Sequence, residues 1–268
     1  MILRLATGGG RLQGADRAAH PMNKKLLFVG GGLAAVALVL FVGLEFFLGS
    51  VVTAGVNRYG PKITQTAVEL SSASISPLSG TGVLRGLVIG NPKGWSDTPL
   101  CSLGKIHLDV APFSIFGDHI VVNEIVIDAP EFNYETKIVA SNVNDLLKNI
   151  EQVTGGKDGG AQATTKSGKP IRFEVKHFVL HDGKVRLGVG PAALSLSMSP
   201  IELTDLGTAE GGISPDQLAL AVMKSVTGGI VAATTQAAGK IGSTSGAAAI
   251  EGVKKTGEAI KSLFGGKK

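Results

Sequence analysis

The sequence predicts an α+β protein: an N-terminal transmembrane helix, then a mainly antiparallel β-sheet with short helices, then a C-terminal helical tail. Leu26 to Leu44 runs for nineteen residues without a charge. From Ser71 onward the apolar period changes to two, the mark of strands with one dry face. After Ser214 the spacing becomes helical again, and beyond Gln236 the chain is rich in Gly, Ala and Ser.

The 23 positions from Leu26 to Leu48 span roughly 34 Å as a helix, enough for a hydrocarbon core of about 30 Å. Residues 22–49 are therefore assigned as the membrane anchor. A cleaved signal peptide is the alternative, with Val52-Thr53-Ala54 as its cleavage site, but its apolar region would run only about 7–15 residues. Glu45 lies near the distal end of the span, where an acid reaches the interface at modest cost. Residues 1–21 are expected to be an upstream extension or a disordered tail without a fold. Gly30/Ala34 and Gly31/Ala35 have the spacing of a weak helix-pairing motif.

The formal charge is +5, and its distribution matters more than its sum. Residues 1–25 carry five Lys/Arg against one Asp, residues 26–236 fifteen against eighteen acids, and residues 237–268 six against two. Arg17, Lys24 and Lys25 precede the span, so the basic bias favours a cytoplasmic N-terminus and a body on the other side. A mildly acidic body with one Trp and two Tyr disfavours nucleic-acid binding.

Residues 50–153 form the first part of the body. A short helix is expected to leave the membrane, followed by an extended segment interrupted by Pro61. Ile106, Leu108 and Val110 then alternate with Lys105, His107 and Asp109. Turns are expected at Gly90-Asn91-Pro92-Lys93-Gly94, Phe116-Gly117-Asp118 and Ala129-Pro130. Val143, Leu146, Leu147 and Ile150 mark a short helix capped by Ser141 or Asn142. Residues 154–170 are nearly devoid of apolar side chains and read as a linker or exposed loop.

Residues 171–213 form a second β-rich part. Phe173, Val175 and Val179 alternate with Arg172, Glu174 and Lys176, while Leu194, Leu196 and Met198 alternate with serines. His181-Asp182-Gly183-Lys184 has the composition of a tight hairpin turn. Ser214-Pro215-Asp216 opens a packing helix over 214–235. Residues 236–268 end in a basic tail, either an amphipathic helix or a frayed segment.

Chemistry-bearing patterns are few. A lone Cys101 excludes an intramolecular disulfide and a cysteine-rich zinc site. His177 and His181 would stand about 13 Å apart on a strand, too far to share a metal. Asp128, Glu131 and Glu135 flank a turn and lack the companion groups of an acid–base pair. No phosphate-binding loop or nucleophile elbow occurs, and the Gly80–Gly86 cluster reads as glycines bending a strand. No enzyme activity, cofactor or metal is expected.

Residues 56–153 resemble the AsmA-like envelope proteins of Gram-negative bacteria. The likeness is carried by Arg58–Thr64, by Gly80–Trp95, by Ile106–Glu135 (IHLDVAPFSIFGDHIVVNEIVIDAPEFNYE) and by Ser141–Leu147. It implies a single-pass inner-membrane anchor bearing a curved antiparallel sheet in the periplasm. It further implies a role in outer-membrane biogenesis, with lipid acyl chains bound or passed along an apolar groove. The groove candidates are Ile106, Leu108, Val110, Phe173, Val175, Leu194, Leu196 and Met198. The implied partners are the inner-membrane bilayer, acyl chains and other envelope proteins. The alternative is a structural scaffold in which helix 214–235 fills the apolar face; Gly90-Asn91-Pro92 is loosely similar to late-embryogenesis-like stabilising domains.

Overall fold

A computed structural model describes residues 24–155, 163–165, 167–190 and 193–240. The expectations for residues 1–21 and for most of the tail lie outside these residues, as does the middle of the 154–170 segment. The chain divides into two compact units, Met1–Val42 and Gly43–Lys268. The first contributes one stretch of helix, on which Val36, Leu38, Val39, Leu40 and Val42 are exposed.

That helix, α1 (Lys24–Thr64), is unbroken over 41 residues, where a short helix and an extended segment were expected. Pro61 is accommodated within it, and its carbonyl accepts the amide of Gln65 at 3.0 Å. The helix stops one turn later because Gln65 adopts a left-handed φ of 56°. Packing against the sheet keeps the second half helical: Leu48 and Ile63 are buried. Asn57 accepts the Leu70 amide through Oδ1 at 2.6 Å and donates to the Leu70 carbonyl at 3.2 Å. Its side-chain amide thus satisfies a strand edge that would otherwise be open.

The second unit holds one nine-stranded mixed sheet, curved as expected. In chain order the strands are β1 (Val68–Ile75), β2 (Thr81–Ile89), β3 (Cys101–Val110), β4 (His119–Asp128), β5 (Glu131–Tyr134), β6 (Arg172–His181), β7 (Lys184–Leu187), β8 (Leu194–Ser197) and β9 (Ile201–Leu206). Helix α2 (Asn142–Thr154) follows β5, and α3 (Pro215–Lys240) follows β9. Six of the eight strand pairings are antiparallel. The other two, β4 with β6 and β5 with β7, are parallel. Parallel pairing requires a long crossover, which α2 and the 155–171 segment supply.

The 181–184 segment is not a hairpin, and Ala129-Pro130 does not reverse the chain. Strand β6 pairs with β4 and β9, whereas β7 pairs with β5 and β8. Asp128 faces His181 and Glu131 faces Lys184, so the register is the same on both sides of the interruption. Ala129 N–H donates to His181 O at 3.0 Å, and Lys184 N–H donates to Pro130 O at 2.8 Å. Strands β4–β5, β6–β7 and β8–β9 are thus three long strands, each kinked at this level. An Asp-Gly pair suits a bulge as well as a turn, and long-range pairing selects the bulge.

The kinks line up across the sheet. At one level each strand turns two consecutive residues away from the core: Ser71-Ser72, Arg85-Gly86, Gly104-Lys105, Asp128-Ala129, His181-Asp182 and Ser199-Pro200. Left-handed φ occurs in this row at Gly86 (65°), Ala129 (46°) and Asp182 (55°). The extra outward residue shifts the period-two phase, so Ile127 and Phe132, or Leu180 and Val185, are buried on one face although their spacing is odd. A shorter second row crosses β4, β6 and β9 at Asn123-Glu124, Lys176-His177 and Thr204-Asp205. There Asp205 has φ 57°. Because of this row the buried residues of β6 are Val175, then Phe178 and Leu180, rather than Val179. Bulges bend a strand and increase its twist, and aligned bulges bend the sheet.

Helices α2 and α3 cover the apolar face. Ser141 caps α2 by accepting the Asn144 amide, and Val143, Leu146 and Ile150 point into the core. Helix α3 begins with Pro215, as its missing N–H allows, and buries Val226, Ile230 and Ala233 in the same core. Burying Ile230 completely contributes roughly 2–3 kcal/mol.

Candidate functional site

The eight proposed groove residues all sit on or near the face that α2 and α3 cover. Ile106, Val110, Val175 and Met198 belong to the buried core, with Val175 at 0% exposure. Leu108 and Leu196 are partly buried and pack against that core. Phe173 is half-buried beside the bridge from Phe173 to Ile213. Leu194 is 42% exposed. The closest cover is at Gly229 of α3, where a β-carbon would stand 3.1 Å from Ile201 Cδ1 and 3.3 Å from Met198 Sδ. A β-carbon there would press on the flexible ends of Met198 and Ile201, so glycine lets the helix lie close to the sheet.

The opposite face is polar and its histidines are engaged. His177 lies between Glu124, 3.1 Å from Nδ1, and Glu202, 2.8 Å from Nε2. Both carboxylates hydrogen-bond the ring, Glu202 more strongly, and they raise its pKa above the ordinary histidine value. His181 Nε2 stands 2.6 Å from Asp128 Oδ1, and His107 Nε2 is 4.0 Å from the other oxygen of Asp128. His177 and His181 therefore use separate carboxylates and share no ligand point. Among the described residues no group of three His, Cys, Asp or Glu side chains is arranged to hold a metal ion.

A recess of about 480 Å³ on this polar face is lined by Glu45, Ser74, Val83, His107, Asp109 and Glu124, among others. Glu45 is tied to the sheet, since Ser74 Oγ donates to Glu45 Oε1 at 2.9 Å. Asp109 accepts from Asn123 at 3.4 Å, and Asn123 in turn accepts from Lys176 at 3.0 Å. These side chains bond to one another along the bulge row.

The acids considered from sequence separate in space. Asp128 joins the histidines, and Glu131 is exposed. Glu135 is buried in a polar knot built from three segments. It accepts from Asn91 Nδ2 at 2.8 Å, from the Ser96 amide at 3.2 Å and from Ser96 Oγ. Asn142 Oδ1 accepts the amides of Glu135 and Val143, and its Nδ2 donates to Asn91 Oδ1 and to the Asn133 carbonyl. Trp95 Nε1 donates to Asp145 at 3.0 Å, and Lys137 stands 4.5 Å over the Trp95 ring. A carboxylate this well supplied with neutral donors is a structural tie. Cys101 is buried and burial pushes its thiol pKa well up, so it is inert as a nucleophile.

Sequence reasoning passed over Asn57, which completes the sheet edge, and the turn aromatics Phe113 and Phe116. Two phenylalanines between Pro112 and Gly117 in a connecting segment were the available signal. No protein-family model matches the chain, and no curated protein matches it significantly.

Proposed function

We infer that this chain is a membrane-anchored, non-enzymatic scaffold module. One apolar helix tethers it, and a self-contained α+β body acts through its surface. The carrying observation is the cover on the sheet: α3 fills the apolar face with Val226, Ile230 and Ala233, where a lipid path would need open space. Kinship with AsmA-like proteins is part of this proposal. So are a single pass through the inner membrane, a cytoplasmic N-terminus and a periplasmic body. The kinship rests on the sequence motifs, of which Asn91, Glu135 and Asn142 meet in one knot.

A second reading, in which α3 is a removable cover over an acyl-chain groove, is favoured by one feature. Pro215–Ala238 is apolar enough to cross a membrane by composition, with mean hydropathy 1.5 and only 33% of that window buried. Such a helix is compatible with lipid on its outer side.

A photo-crosslinking side chain at Met198 in membrane-embedded protein separates the two. The scaffold predicts adducts within the chain, to α3. Adducts to lipid would replace it by the groove. A reporter fused after Lys268 that is active only in the cytoplasm would overturn the orientation.

A further inference from the structure

We propose that the loops at one end of the sheet, 76–80 and 111–117, form a bilayer-docking surface that inserts Leu78, Phe113 and Phe116 into the lipid interface. This rests on the membrane-anchor reading above and adds a second point of attachment to it.

The topology puts these loops at one end. Strand β1 ends at Ile75 and β3 at Val110, and β2 and β4 start there. The loops touch: Val110 N–H donates to Gly80 O at 3.0 Å. A β-carbon on Gly80 would lie within 1.8 Å of Val110 O and 3.5 Å of Pro112 Cδ. Helix α1 reaches the same end, because Glu45 bonds to Ser74 and both line a recess with Ser76 and Thr81.

The loop tips at this end expose large apolar side chains, among polar neighbours such as Ser79, Asp109 and His119. Leu78 is 67% exposed, Phe113 69% and Phe116 53%, and on α1 Phe46 and Phe47 are 75% and 57% exposed. Phe113 adopts φ 69°, a left-handed conformation that a bulky residue rarely takes. Residues held in such conformations cluster at functional surfaces. Nearby charge is partly neutralised, Asp118 standing 3.6 Å from Lys169, and Arg172 is exposed beside it. Aromatic and apolar tips match the interfacial zone of a bilayer.

The chain has a single tryptophan, Trp95, which follows the opposite end of β2. It serves as an internal control. The full chain, its Phe113→Trp and Phe116→Trp variants, and an Ile138→Trp variant at the far end would be reconstituted in phosphatidylethanolamine/phosphatidylglycerol vesicles with doxyl-labelled acyl chains. The expected result is quenched, blue-shifted emission from positions 113 and 116, with Trp95 and position 138 unquenched. A carbonate-resistant membrane protein whose positions 113 and 116 are unquenched, or whose position 138 is quenched instead, overturns the docking surface while leaving the anchor intact. Protein that carbonate extracts from the vesicles overturns the anchor reading and the docking surface with it.

Discussion

Asn142 donates from Nδ2 to Asn91 Oδ1 at 2.8 Å, joining the first residue of α2 to the loop after β2 across 51 positions. The same side chain serves Asn133 O and the amides of Glu135 and Val143, and it is 0% exposed. Asn142→Ala would strand several buried groups and should cost roughly 3 kcal/mol. Asn142→Asp would place a second carboxylate oxygen against Asn91 Oδ1 and Asn133 O, so it should also destabilise near neutral pH. Guanidinium unfolding of the detergent-solubilised protein reads both, and losses below about 1 kcal/mol would show that the knot is not what holds these segments.

The bulge row makes opposite predictions for two of its strands, β2 and β4–β5, which flank β3. Gly86 has φ 65° and its β-carbon would stand 2.5 Å from Ser71 Oγ, so Gly86→Ala should lose about 1–2 kcal/mol. Ala129 already bears the left-handed penalty at φ 46°, so Ala129→Gly should be neutral or gain up to about 1 kcal/mol. Melting temperatures shifting in the same direction for both would contradict a row built on left-handed residues.

His177 makes stability depend on pH. Its carboxylate partners raise its folded pKa above the unfolded value of about 6.5. A raised pKa means that its contribution is complete below that unfolded value and fades as pH rises through the folded one. The wild type should therefore lose stability from about pH 6.5 upward more steeply than His177→Gln. Parallel pH profiles for the two proteins would dismiss the cradle, and a histidine-resolved NMR titration gives the pKa directly.

Helix α3 is fastened by its central turn. Ile230→Ala removes a side chain with 0% exposure and should cost roughly 2–5 kcal/mol. Gly229→Leu should destabilise by about 1–3 kcal/mol through overpacking, because Met198 and Ile201 already occupy that space. Hydrogen exchange should rise in α3 and in β8–β9 together. Faster exchange in α3 alone would mean that the helix is loosely laid on the sheet.

Much of this organisation is legible residue by residue. The uncharged run before Glu45, the amphipathic spacing of Val143 to Ile150 and the Ser214-Pro215 start each state a local preference that the fold keeps. The strands were legible as strands, but their period is not strict. Consecutive outward residues such as Asp128-Ala129 and His181-Asp182 look like turns when read singly. They become bulges only because each faces its counterpart on the next strand at the same register. A positive φ at an Asp-Gly pair is local information, whereas the choice between reversing the chain and kinking it depends on which strand lies alongside.

The amino-acid sequence alone determined the apolar helix, the one-sided strands, the capped helices and the charge distribution along the chain. These follow from hydropathy, periodicity and capping, which act over a few residues. Only the tertiary structure decided that β4 and β6 run parallel, that the bulges align into a crease, and that α3 closes the apolar face. It also decided that Leu78, Phe113 and Phe116 face outward where α1 joins the sheet. Such outcomes depend on contacts between residues tens of positions apart, whose free energy no local window contains.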